Sequence, residues 1–261
     1  GNSRSIFWQV EDWKPHLHPG ASCYHFDGSD ESLFNLNRKI CYLAEQDVNI
    51  AQALLIVDFS LLADAEEYHG HLVATPPRLM KYHNFLTFHG AFLLAYLDPR
   101  FLLAYYDFSI TGQYRAYMRD HNVLNAEPME YDLTTNEIRY PQFEEAIAQG
   151  RYYRGKRLEV FRDRPPQPSP TPACLRDEHV ALLREMQAVF IANATELRIV
   201  ISPLFSQKPL HSKDVALLKQ VFGAHRVFDY SGVNAITEDF HNYYELSHYR
   251  PAAAARLMQE I

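Results

Sequence analysis

Ala53-Leu54-Leu55-Ile56-Val57-Asp58 is a near-continuous apolar run that stops at a carboxylate. A strand with one wet face alternates apolar and polar side chains. A strand covered on both faces need not, so this run predicts a buried parallel strand. Leu197-Arg198-Ile199-Val200-Ile201-Ser202 repeats the pattern and closes at Pro203. Shorter runs lie at 226–229 and at 22–26, the latter leading into Asp27-Gly28-Ser29.

Helical periodicity fills the intervals. Leu33, Leu36, Ile40 and Leu43 predict a helix over 30–46 with Ser29 as its N-cap. Val180, Leu183, Met186 and Phe190 predict another over 177–193. Val215, Leu218 and Val221 predict a third capped by Ser212, and Pro251 suits the first position of a terminal helix. Near the start, Ile6, Val10 and Trp13 predict a helix that follows Ser3 directly and ends at Pro15. Strands alternating with helices predict an α/β fold, a three-layer α/β/α sandwich around a mostly parallel, flavodoxin-like sheet. No apolar run precedes Ser3, so the first strand of such a sheet is missing.

The expected organisation is one domain over 1–261 with a large insertion, 61–174, folded over the core. Within the insertion Tyr82, Phe85, Phe88, Phe92 and Tyr96 recur at helical spacing, a stripe expected to be core, the alternative being a platform for sugar rings or for a membrane surface. The run Pro165-Pro166-Gln167-Pro168-Ser169-Pro170-Thr171-Pro172 predicts a stiff, extended connector.

A net charge of -7 argues against nucleic acid as a partner, since that binding needs basic surface to displace counterions. Three widely spaced cysteines, Cys23, Cys41 and Cys174, indicate neither a disulfide framework nor a zinc knuckle. The most apolar stretch, 85–106, is broken by His89, Asp98, Pro99 and Arg100, and falls short of the roughly 20 apolar residues of a membrane span. His16 with His18, and His69 with His71 beside Glu66 and Glu67, pair imidazoles. Neither pair supplies the three or four convergent ligands that a zinc site needs. No metal or other cofactor is expected.

Two motifs at opposite ends carry the candidate chemistry. Gly1-Asn2-Ser3-Arg4 is a small-residue turn holding a serine, and Glu245-Leu246-Ser247-His248 sets an acid three residues before a histidine. A histidine can take the proton of a serine hydroxyl while an acid fixes its tautomer. In parallel sheets ligands sit beyond the carboxyl ends of the strands, and Gly28 and Asp58 follow two of the predicted strands.

In this order the motifs resemble the SGNH (GDSL-like) hydrolase superfamily. Gly1-Asn2-Ser3 is similar to its Gly-Asp-Ser, Asp27-Gly28-Ser29 offers its oxyanion-hole glycine, and Glu245-Leu246-Ser247-His248 is similar to its Asp-x-x-His. The third block, Gly-x-Asn-Asp in the family, is Val57-Asp58-Phe59-Ser60 here, which puts a carboxylate where the family has a donor. The wider run Asn242-Tyr243-Tyr244-Glu245-Leu246-Ser247-His248-Tyr249-Arg250-Pro251 resembles membrane-anchored members from bacterial envelope polysaccharide O-acetylation loci.

The resemblance implies a serine esterase or O-acyltransferase: Ser3 as nucleophile, His248 as base and acid, Glu245 orienting His248, and an oxyanion hole from Ser3, Gly28 and Asp58. It implies an acylated polysaccharide or small acyl ester as substrate, and a membrane-bound O-acyltransferase as partner. It also implies a periplasmic or other extracytoplasmic location at a bacterial inner membrane, with a membrane anchor upstream of this chain. Two alternatives stay open: a non-catalytic SGNH-like module that binds glycan or a partner, and an unrelated flavodoxin-like binding domain in which Ser3 and His248 lie far apart.

Overall fold

The computed structural model describes all residues except 69, 72, 81–84, 121–128, 163 and 165–167. It is a mixed α/β protein whose central sheet has three parallel strands. In chain order the first elements are helix α1 (Val10–Trp13), helix α2 (Leu33–Glu45), strand β1 (Gln52–Val57) and helix α3 (Phe59–Leu62). Helices α4 (Phe85–Tyr96), α5 (Pro99–Thr111) and α6 (Ala116–Asp120) follow, then the hairpin β2 (Glu130–Asp132) and β3 (Glu137–Arg139). Helices α7 (Pro141–Ala148), α8 (Lys156–Glu159) and α9 (Asp177–Ala192) lead to β4 (Glu196–Ile201). The chain closes with α10 (Ser212–Phe222), β5 (Val227–Asp229) and α11 (Pro251–Met258).

The sheet order is β1-β4-β5, with Gln52 opposite Glu196, Val57 opposite Ile201, and Ile199 opposite Val227. Leu55, Val57, Leu197, Ile199 and Ile201 pack with α2, α9 and α10 in one core cluster. Leu54, Ile56 and Val200 pack in a second cluster with Trp8, Trp13, Tyr243 and Leu257. Both faces of the sheet are therefore covered, which is why β1 and β4 are apolar without alternation.

Several local expectations change. Ser32, not Ser29, caps α2, its side chain accepting from the Asn35 N–H, because Asp30 adopts a left-handed backbone and delays the helix. His211, not Ser212, caps α10 through its ring nitrogen. The helix expected after Ser3 is instead a 3-10 turn (Ser5–Phe7), the short α1 and a second 3-10 turn (Lys14–His16). A side chain out-competes the helix there. The Val10 N–H donates to Glu137 Oε1 at 3.1 Å in place of a helical carbonyl.

Residues 22–26 form no strand and lie outside the sheet. The His25 N–H donates to the Thr135 carbonyl at 2.8 Å, and Asn136 Nδ2 donates to the His25 carbonyl at 2.7 Å. A cavity of about 210 Å³ separates this segment from β1, lined by Tyr24 and Phe26 on one side and Leu54 and Ile56 on the other. Gly1 bridges it at one end. Its carbonyl accepts from the Gly28 N–H at 3.2 Å, and a Cβ on it would stand 2.6 Å from the Ile56 carbonyl oxygen.

The chain divides into two compact units, residues 1–66 with 130–261, and residues 67–129. The second unit is shorter than the 61–174 insertion read from the sequence. Residues beyond 129 belong to the larger unit because Tyr140, Phe143, Tyr152, Tyr153 and Phe161 enter its aromatic core. In the smaller unit the expected core stripe is largely outward: Phe85, Phe92 and Tyr96 are exposed, and Tyr82 lies outside the described residues. Within the proline-rich run, 165–167 also lie outside them, as does His69.

The sheet interior should tolerate truncation poorly. Ile199→Ala, at a fully buried position of the central strand, is expected to lower unfolding free energy by about 3 kcal/mol in urea denaturation. Leu246→Ala, at an exposed loop position, should cost under about 0.5 kcal/mol.

Candidate active site

Ser3 and His248 meet across the full length of the chain. Ser3 Oγ lies 2.8 Å from His248 Nε2, and His248 Nδ1 is hydrogen-bonded to Glu245 Oε1. An ionised carboxylate can only accept, so Nδ1 carries the ring proton and Nε2 is left to accept from the serine hydroxyl. Burial pushes the Glu245 carboxyl up, but the hydrogen bonds from His248 and the Ser247 N–H outweigh it and hold the group below its ordinary range. Ser3 and His248 are both half-buried, so the pair is reachable from solvent.

The loop that carries Glu245 and His248 is tied at both ends. Tyr243 and Tyr249 form an isolated antiparallel bridge, and the Tyr244 N–H donates to the His248 carbonyl at 2.9 Å. The Tyr243 hydroxyl donates to the Pro203 carbonyl at 2.8 Å, and the Tyr152 hydroxyl to the Tyr244 carbonyl at 3.0 Å. Arg250 pairs with Glu144 on α7, and the Phe7 ring packs against the His248 imidazole with centroids 5.4 Å apart.

The serine turn is held by Asp58. One carboxylate oxygen caps α3, accepting from the Ser60 N–H at 2.8 Å and the Leu61 N–H at 3.2 Å. The other accepts from Asn2 Nδ2 and from Arg4 Nη1, both at 2.7 Å. Asn2 Oδ1 in turn accepts the Arg4 N–H at 3.1 Å, and Arg4 Nε reaches the Ser247 carbonyl at 3.2 Å. Ser3 thus sits between two residues bound to one buried carboxylate, and Arg4 ties its turn to the histidine loop.

The three oxyanion-hole expectations fare differently. The Asp58 carboxylate is an acceptor in every contact it makes and offers no side-chain donor. The Gly28 N–H is engaged by the Gly1 carbonyl. The Ser3 N–H makes no hydrogen bond among the described residues and stays free to donate. His241 stands apart from the triad, exposed and hydrogen-bonded to Asp239 at 2.7 Å. Ser202 is buried in the core and Ser231 donates to Asp229, so neither replaces Ser3. Among the described residues no group of three or more His, Cys, Asp or Glu side chains is placed to hold a metal ion.

The sequence reading missed Arg4 and the supporting role of Asn2. Asn2 had a signal: an amide stands where the family motif has an acid, and a carboxylate at 58 where the family has an amide. Arg4 had none beyond adjacency to the serine. Comparison with protein-family models, curated proteins and solved structures finds no match to this chain.

Two outcomes follow. Asn2→Asp alone sets two carboxylates at hydrogen-bond distance and should destabilise by about 3 kcal/mol. Combined with Asp58→Asn, it should recover about 1 kcal/mol or more relative to the summed single changes, measured as a double-mutant cycle in denaturant. Separately, a depressed Glu245 contributes stability that is whole above its ordinary value of 4.5 and lost as pH falls through its folded value. Melting of Glu245→Gln should therefore decline less steeply than that of the parent chain between about pH 6 and about pH 3.

Proposed function

We propose that this chain is an SGNH-type serine esterase or O-acyltransferase that acts on acyl esters, acetyl above all, of a cell-envelope polysaccharide. The observation that carries this reading is the unbroken hydrogen-bonded series Ser3, His248, Glu245. Ser3 Oγ attacks the ester carbonyl carbon as its proton passes to His248 Nε2. The imidazolium, steadied by Glu245, then gives that proton to the departing alkoxide and leaves an acyl-serine. Water or a sugar hydroxyl next gives its proton to His248 and takes the acyl group, which restores Ser3. Developing negative charge on the carbonyl oxygen is met by the Ser3 N–H, with the Arg4 guanidinium as the nearest fixed positive charge on the turn.

In this reading the fold is a three-layer α/β/α sandwich of the flavodoxin-like kind, supported by the parallel order of its strands and by helices packed in both core clusters. The polysaccharide substrate, a membrane-bound O-acyltransferase partner and an extracytoplasmic location rest on the resemblance of the 242–251 run. The chemistry is assigned to the chain's own groups, with no cofactor.

A second reading has one observation in its favour. The Asp58 side chain offers no donor and the Gly28 N–H is already engaged, which suits a non-catalytic module that keeps the fold and binds glycan or a partner. A fluorophosphonate probe decides between them. Labelling should map to Ser3 and vanish in Ser3→Ala and His248→Ala, while Glu245→Gln should slow p-nitrophenyl acetate turnover at least about 100-fold. A chain that is folded yet neither labels nor turns over belongs to the second reading.

A further inference from the structure

Helices α4 and α5 are joined at 97–98 and pack on each other through Tyr96, Phe101 and Tyr105, with ring centroids 5.6–6.4 Å apart. Many of their other large apolar side chains point outward. Leu86 is 83% exposed, Leu94 72%, Leu103 65% and Ile110 82%. No residue of α4 is buried, and in α5 only Ala104 is. Leaving a leucine in water forgoes roughly 1.5–3 kcal/mol relative to burying it, and contiguous apolar surface on this scale marks a binding face.

Three observations identify the occupant. The first is electrostatic. α4 carries no Asp, Glu, Lys or Arg, and the charges beside and within α5 are matched: Asp98 caps the helix and pairs with Arg100, while Asp107 pairs with Arg115. Such a surface complements an uncharged apolar medium, not a charged partner.

The second is angular. At about 100° per residue, Phe85, Leu86, Phe92, Leu93, Leu94 and Tyr96 spread over roughly 200° of α4. That is about twice the stripe a helix lays against a single packed surface. Fluid acyl chains can wrap such an arc.

The third is length. Twelve residues give about 18 Å of helix, short of the roughly 30 Å hydrocarbon core. No helix among the described residues is long and apolar enough to cross a membrane. Tyr96, Tyr105 and Tyr106 are partly exposed, as suits side chains at headgroup depth. We propose that the α4–α5 hairpin embeds shallowly in the outer layer of a lipid bilayer and docks this chain on a membrane surface.

Flotation of the full chain with phosphatidylcholine vesicles tests this. The chain should float with the vesicles, and equally in high salt, because the contact is uncharged. The triple variant Leu86→Asp, Leu94→Asp, Ile110→Asp should bind at least about tenfold more weakly, with an unchanged circular dichroism spectrum. A Leu94→Trp variant gives a direct reading: its added fluorescence should shift to the blue and be quenched by brominated lipid. Four results would overturn the proposal: a parent chain that stays with the free protein, flotation only with anionic vesicles, a triple variant that floats unimpaired, and added indole fluorescence in Leu94→Trp that brominated lipid leaves unquenched. A concentration-dependent dimer in sedimentation that the triple variant abolishes, with no vesicle binding, would assign the surface to a second copy instead.

Discussion

The Asp58 carboxylate is the point on which the candidate site turns. It lies immediately beyond β1, is buried, and its two oxygens divide the work. One ends the strand by capping α3, which satisfies N–H groups that have no partner inside so short a helix. The other holds Asn2 and Arg4, the residues on either side of Ser3. A buried carboxylate without such partners would be costly to desolvate, so the network that positions the serine also permits the charge to sit there.

The histidine side of the site depends on a different chemistry, that of tyrosine. Tyr243 and Tyr249 are fully buried, and Tyr243, Tyr152 and Tyr153 direct their hydroxyls to main-chain carbonyls near the 241–249 loop or on it. Burial pushes the Tyr153 hydroxyl up to about 12, so it remains a neutral donor throughout the working range. Rigid rings with one polar end fill the apolar core and still hold the backbone in place, which a flexible side chain could not do at so small an entropic cost. The loop is irregular in outline and firmly braced.

Much of this was legible in the chain. β1 and β4 were readable because a strand buried on both faces leaves an uninterrupted apolar signature, and α9 because Leu183, Met186 and Phe190 keep one side. The pairing of Ser3 with His248 was readable only as chemistry, since nothing in the spacing of two motifs measures the distance between them. Caps were misplaced where a left-handed Asp30 moved the start of α2 from Ser29 to Ser32, and where the ring of His211 took the role expected of Ser212. The segment after Ser3 failed as a helix because Glu137, far along the chain, claimed the Val10 N–H. The aromatic stripe of α4 failed for the opposite reason: periodicity reveals a face, not what covers it.

Ser3 and His248 are separated by 245 positions in sequence and 2.8 Å in space. On a ribosome adding about 5–20 residues per second, the serine exists for roughly ten to fifty seconds before its histidine is made. Through that interval the nascent chain carries the serine hydroxyl without its imidazole partner. The contact can therefore form only after all three strands of the central sheet have been made.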